Sequence, residues 1–262
     1  MLRGDIVGDG GGPEILFIHG LRQSRLSWAR QYDDPILSGF RKVRFDLRGH
    51  GDSDKPADPA SYADMGRWAD DIAAVMDAAK LRRPILVGWS LGGFVTGAYL
   101  AKYGDANVSG VNLVDAVTKL SADLLTPLAG RYAQSTSSHD LAERTAATAE
   151  FLMACFHRPP VGHDLRQMLV INGMTARAVN QGVTETKTPD MEHAFARYRK
   201  PLLISHGAHD RLVRLAMSER ILALCPGARL SIFNSSGHSP FYEEADRFNR
   251  ELSAFAIAAC GA

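Results

Sequence analysis

Residues Ile85-Leu86-Val87-Gly88-Trp89 form an unbroken apolar run that stops at Ser90 and resumes as Leu91, Phe94, Val95, Ala98 and Leu100 at helical spacing. A buried strand that becomes a helix across a single residue must turn very sharply there. Gly88 and Gly92, two residues to either side of the serine, let backbone approach where a Cβ would collide. The serine itself is driven into a strained conformation that lifts its hydroxyl clear of the sheet edge. Gly-x-Ser-x-Gly arises by chance in a chain with 24 glycines, so its weight comes from this strand-to-helix context. Pro84 precedes the strand and Gly104 is the expected helix stop.

Further strands are read at Glu14–Ile18, Val43–Leu47, Val108–Val114, Pro201–Ser205 and Arg229–Phe233. Helices are read between them. One is expected over Ser24–Leu37, and another starts at a capping box, Ser61-Tyr62-Ala63-Asp64, before Met65, Trp68, Ile72, Val75, Met76 and Ala79 recur three and four apart. A last amphipathic helix carries Phe241, Ala245, Phe248, Leu252 and Phe255. Apolar strands alternating with helices predict an α/β fold, a mainly parallel sheet covered on both faces. The alternation lapses over residues 118–195, where helical segments follow one another without a clear strand. These residues are read as an inserted helical cap between two parts of one core, 1–117 and 196–262.

The chain has 262 residues, 45% hydrophobic and 23% charged, enough for one sizeable core with an inserted subdomain. Its net charge of +1 is spread along the sequence, so no nucleic-acid or anionic-membrane partner is expected. Three scattered cysteines, Cys155, Cys225 and Cys260, point to a reducing compartment and not to a disulfide framework. Cys155, His157 and His163 lack a repeating zinc-ligand spacing, and no metal is expected. No stretch resembles a signal peptide, and no apolar run approaches the ~18 residues of a membrane span, so the expectation is a cytoplasmic protein without membrane insertion.

A serine hydroxyl becomes a useful nucleophile only beside a base that is itself oriented by a third group. In open α/β sheets reactive groups gather at the carboxyl ends of strands, which removes most of the nine histidines. His238, in Ser235-Ser236-Gly237-His238-Ser239-Pro240, follows the last strand and is the candidate base. Asp210, in His206-Gly207-Ala208-His209-Asp210-Arg211, follows the preceding strand and is the candidate acid; its plain alternative is capping the helix near Val213. Asp115, at the end of another strand, is a rival acid with a structural role as its main reading. Attack on a carbonyl also needs preorganised N–H donors for the oxyanion. The amide of Leu91, at the helix N-terminus after the serine, and that of Leu21, after His19-Gly20, are placed for it. Trp89, Met153, Phe156 and Met174 are candidate substrate contacts, and the apolar residues of the cap suggest a hydrophobic acyl or alcohol group.

His19-Gly20, Asp46-Leu47-Arg48-Gly49-His50-Gly51-Asp52-Ser53, Gly88-Trp89-Ser90-Leu91-Gly92-Gly93, Gly207-Ala208-His209-Asp210 and Gly237-His238-Ser239-Pro240 together resemble, over nearly the whole chain, the ordered blocks of α/β-hydrolases. The resemblance is to their serine esterase and cofactor-free haloperoxidase-like branch. It implies the chain order Ser90, Asp210, His238 for a catalytic triad, a helical cap, no cofactor, and a sheet of eight strands or slightly fewer. Only 13 residues precede the Glu14 strand, so the first strand is expected to be missing or truncated. The block from Asp46 to Ser53 is expected to shape a loop, since its Asp and His fall outside the catalytic positions. A serine at the elbow argues against relatives that use a carboxylate nucleophile, the haloalkane dehalogenases and epoxide hydrolases.

The resulting expectation is an enzyme that cleaves carboxylic esters of small molecules through an acyl-serine intermediate. Lactone opening, perhydrolysis, carbon–carbon bond hydrolysis and thioester cleavage share the apparatus. A small-molecule receptor of the same fold and an inactive scaffold are the alternatives outside catalysis.

Overall fold

A computed structural model describes residues 1–9 and 11–261. Seven strands, β1 (Arg3–Val7), β2 (Glu14–Ile18), β3 (Arg41–Asp46), β4 (Ile85–Trp89), β5 (Gly110–Val114), β6 (Leu202–Gly207) and β7 (Ala228–Phe233), form one sheet in the order β1-β3-β2-β4-β5-β6-β7. All neighbours are parallel except β1, which runs antiparallel along β3 with Arg3 opposite Asp46. This is one strand fewer than a full eight.

Short α1 (Ala29–Tyr32) and α2 (Ala60–Ala63) precede α3 (Met65–Ala78) and α4 (Leu91–Tyr103). Between β5 and β6 come α5 (Pro127–Ser135), α6 (Leu141–Ala154), α7 (Gly162–Gly173), α8 (Arg177–Thr184) and α9 (Glu192–Arg197). α10 (Leu215–Leu224), α11 (Pro240–Glu243) and α12 (Ala245–Cys260) complete the chain. Among the described residues no helix is long and apolar enough to cross a membrane.

The period of two along each strand sends alternate side chains to opposite faces. Leu16 and Ile18 of β2 join Phe45, Trp68 and Phe94 on one side, while Ile15 and Phe17 join Trp28, Phe248 and Leu252 on the other. Each large side chain so buried contributes about 1.5–3 kcal/mol. The sheet is therefore covered on both faces, and β4, at its centre, is wholly buried.

Two local expectations change. The helix expected over Ser24–Leu37 is broken into a 3₁₀ turn (Arg25–Trp28), α1, and a second 3₁₀ turn (Pro35–Leu37). Asp34 accepts from Ile36 N and Pro35 has no N–H to extend α1, so the segment restarts instead of continuing. The Ser61–Asp64 box does not start α3; Asp64 itself caps it, accepting from Gly66 N at 2.8 Å. Strand β1 carries little burial signal, with Ile6 half exposed, and it exists through its pairing with β3.

Candidate active site

Ser90 stands between β4 and α4 with φ 53° and ψ −116°, a conformation that costs a non-glycine residue of order 1–3 kcal/mol. Its surroundings over-determine it. Ser90 N donates to Val114 O at 3.0 Å, and Ser90 O accepts from Gly93 N at 2.9 Å and Val117 N at 3.0 Å. A Cβ on Gly92 would lie 2.3 Å from Ile18 O, and one on Gly88 would lie 2.6 Å from Gly92 O. The elbow therefore closes only with glycine at both places.

His238 follows β7 and Asp210 follows β6, and the two meet: Nδ1 of His238 and Oδ2 of Asp210 are 2.7 Å apart, both side chains almost wholly buried. The other oxygen of Asp210 accepts from Leu212 N at 2.7 Å and Val213 N at 3.0 Å, so this carboxylate shapes the start of the next segment as well as facing the imidazole. Burial alone would raise its pKa, but the facing imidazole and these hydrogen bonds hold it below the usual carboxylate value. Ser90 and His238 line one cavity of about 960 Å³. Among the described residues they share no direct hydrogen bond, an arrangement common before substrate tightens such a site.

Asp115 completes a carboxyl pair. One oxygen each of Asp115 and Asp210 and a ring nitrogen of His238 lie within 4.8 Å of one another. Oδ1 of Asp115 accepts from Gly207 N at 2.8 Å, while the imidazole facing Asp210 belongs to His238 and not to Asp115's own loop. Complete burial, then the adjacent charge of Asp210, raises the Asp115 pKa well above the usual carboxyl value.

The loop after β2 is built by two histidines. Nδ1 of His19 faces Gly20 O at 2.7 Å, and its Nε2 accepts from Leu47 N at 3.0 Å. Nδ1 of His50 faces Arg48 O at 2.9 Å, and its Nε2 accepts from Arg22 N at 3.1 Å. A neutral ring protonated on Nδ1 satisfies both patterns. Burial favours that form, pushing His19 down to about 4 and His50 well below the ordinary imidazole value. Asp46 braces the same loop by accepting from Arg25 N at 2.7 Å and Asp52 N at 2.9 Å. A Cβ on Gly20 would lie 3.2 Å from Ser90 Cβ, so the loop rests on the elbow. Leu21 and Leu91 both line the cavity, and among the described residues neither backbone N–H has an acceptor.

The four side chains named as substrate contacts do not line this cavity. Trp89 alternates into the core on the opposite face of β4 and donates Nε1–H to His238 O at 2.6 Å. Phe156 packs edge-on against Tyr242, while Met153 and Met174 face outward, 38% and 40% exposed. The wall is formed instead by Val117, Leu125, Tyr132, Phe151, Val183 and Val213. Arg22, unremarked in the sequence, also lines it, and so does Asn180. Its place directly after Leu21 was the available signal.

Glu243 ties the helical insertion to the histidine loop. Its Oε2 accepts from Gly237 N at 2.7 Å, and its Oε1 accepts from His157 N at 2.9 Å and Arg158 N at 2.8 Å.

The alpha/beta hydrolase fold family model matches residues 13–245. The chain is 30% identical over 259 residues to a non-heme haloperoxidase of Rhodococcus erythropolis, covering 94% of this chain and 93% of that protein. It is 29% identical over 263 residues to the bifunctional esterase/perhydrolase DCH of Acinetobacter calcoaceticus, covering 93% and 91%. A crystal structure of a putative aryl esterase from Burkholderia cenocepacia superposes with a TM-score of 0.94 at 39% identity, covering 100% of this chain and 96% of that one. With fold, elbow and homology in agreement, the chain belongs to the α/β-hydrolase family.

Proposed function

We propose that this protein is a serine hydrolase of carboxylic esters. Ser90 Oγ attacks the acyl carbonyl as Nε2 of His238 takes its proton, and Asp210 holds the imidazole by Nδ1 and stabilises its charged form. The amides of Leu21 and Leu91 receive the developing oxyanion. His238 returns the proton to the leaving alcohol, and water, activated by the same imidazole, releases the acid from Ser90. The observation that carries the reading is the buried His238–Asp210 pair at 2.7 Å, opening onto the same cavity as a serine held at φ 53°. Residues 118–195 act as the cap over that cavity, and three free thiols suit a cytoplasmic setting.

A panel of p-nitrophenyl esters and lactones tests the proposal. Steady multiple turnover is expected, with Ser90→Ala lowering kcat by about 10⁶-fold. Turnover undiminished in Ser90→Ala would overturn it, and stoichiometric labelling by an organophosphonate without turnover would indicate a receptor. Similarity to a haloperoxidase and an esterase/perhydrolase favours a second reaction of the same acyl-serine, in which hydrogen peroxide replaces water and leaves with the acyl group as a peracid.

A further inference from the structure

Arginine keeps its proton under all ordinary conditions, so a guanidinium removed from water needs a counter-anion or a full set of acceptors. Arg22 has neither. The residue is only 4% exposed, and among the described residues no carboxylate pairs with it. Its acceptors are neutral: Thr148 Oγ1 at 2.9 Å, Asn172 O at 3.2 Å and a long contact of 3.5 Å to Thr136 O. Nε is buried without any partner. After burial, the next influence on the guanidinium is another cation, Arg144, and together they bring its pKa down to about 10, still fully charged at neutral pH.

Arg22 lines the cavity that holds Ser90 and His238, and so does Thr136, whose carbonyl is the long contact of the guanidinium. Asn180, also on the wall, donates Nδ2–H to Thr136 Oγ1 and leaves its own Oδ1 buried and unpartnered. The backbone of Arg22 is held at φ 61°, unusual for a non-glycine residue, with its N–H on His50. A chamber whose wall is mainly apolar but also carries Gln134, His139, Asn180 and Gln181 therefore has one uncompensated positive charge at its edge, one residue beyond a proposed oxyanion donor.

Building on the ester-hydrolase reading, we propose that Arg22 is the receptor for a carboxylate carried by the substrate, making the preferred substrates half-esters or lactones of short dicarboxylic acids. The planar fork suits a carboxylate, and the ion pair forms where water is largely excluded. The scissile carbonyl lies on the Leu21 and Leu91 amides while the distal carboxylate reaches Arg22 through a few methylenes. This adds a charged end to the expectation of a largely hydrophobic acyl or alcohol group.

The test compares kcat/KM for monomethyl glutarate and monomethyl adipate with that for the corresponding dimethyl esters. The wild-type protein is expected to favour each half-ester at least tenfold. Arg22→Gln is expected to reduce that preference at least thirtyfold, chiefly through KM, and Arg22→Lys to reduce it less. Because a preference is a ratio, general damage to the fold cancels from it. An unchanged preference in Arg22→Gln, or none in the wild type, overturns the proposal and leaves Arg22 as a brace for the insertion. Should Arg22→Gln not fold, competitive inhibition of the wild type by glutarate but not by glutaramide supports the site, and equal inhibition overturns it. Calorimetric binding of monomethyl adipate to Ser90→Ala separates the two readings. Binding there without wild-type turnover of any ester refutes hydrolysis and keeps the anion site; turnover without charge preference does the reverse.

Discussion

The indole N–H of Trp89 donates to the backbone carbonyl of His238 at 2.6 Å, joining the residue before the elbow serine to the candidate base across 149 positions of sequence. Trp89→Phe keeps most of the packing against Phe241 and removes the donor, leaving a buried carbonyl unpaired at a cost of about 1–3 kcal/mol. We expect a lower thermal midpoint and a kcat for p-nitrophenyl acetate reduced roughly tenfold, with KM little changed. A variant with normal kcat would show that the strap does not position the imidazole.

Asp210→Asn retains an acceptor for Leu212 N and Val213 N, so the fold should survive. The orienting charge is lost, and kcat should fall by about 10⁴-fold. Circular dichroism beside ester kinetics separates this outcome from unfolding; a fall of less than tenfold would contradict the role assigned to Asp210.

Asp115→Asn should behave in the opposite way. With its pKa raised by burial and by Asp210, the native Asp115 keeps a proton that the unfolded chain releases above about pH 4. The native state then binds more protons than the unfolded one, so this residue stabilises fully only below the unfolded pKa. The contribution declines by about 1.4 kcal/mol per pH unit up to the raised native value. Asparagine mimics the protonated acid, accepting from Gly207 N without this loss. Urea midpoints of variant and wild type should diverge as the pH rises above the unfolded carboxyl value of about 4, the variant gaining until native Asp115 itself ionises; parallel curves would refute a protonated Asp115.

Gly92→Ala places a methyl 2.3 Å from a carbonyl of the central sheet, which cannot retreat without disturbing β2. A destabilisation of about 3 kcal/mol is expected in equilibrium unfolding, together with loss of esterase activity as the elbow distorts. A stable and active variant would refute the tight closure described for Ser90.

The parallel core was legible because its strands are continuous apolar runs and each ends in a glycine-, histidine- or aspartate-bearing loop, which is also why Ser90, Asp210 and His238 could be placed at strand ends. β1 was not legible, since half-exposed Ile6 and Val7 show no alternation and the strand depends on partners forty residues away. Side-chain direction within the insertion was equally hidden. Met153 and Met174 look pocket-like in composition, but the phase of α6 turns Met153 outward and Met174 is left exposed where α7 ends. Arg22 escaped because a single loop arginine carries no periodic signal, and its isolation from carboxylates is a property of three dimensions.

Glu243 makes one further demand on how this molecule works. A single carboxylate grips both the junction of α6 with α7 and the turn that presents His238. Were the whole insertion to lift as a rigid body, it would drag the imidazole off Asp210 and undo the arrangement it shelters. On the proposed reading, entry of a reactant then falls to the other flank, to the stretch 129–139 and α8, which border the chamber without touching that shared anchor, while residues 124–126 stay pinned to the Asp210 loop through Thr126 N on Leu212 O and Arg214 N on Leu124 O, each at 3.0 Å. Breathing there, with the Glu243 side fixed as a pivot, lets the doorway move while the proton-handling parts stay still.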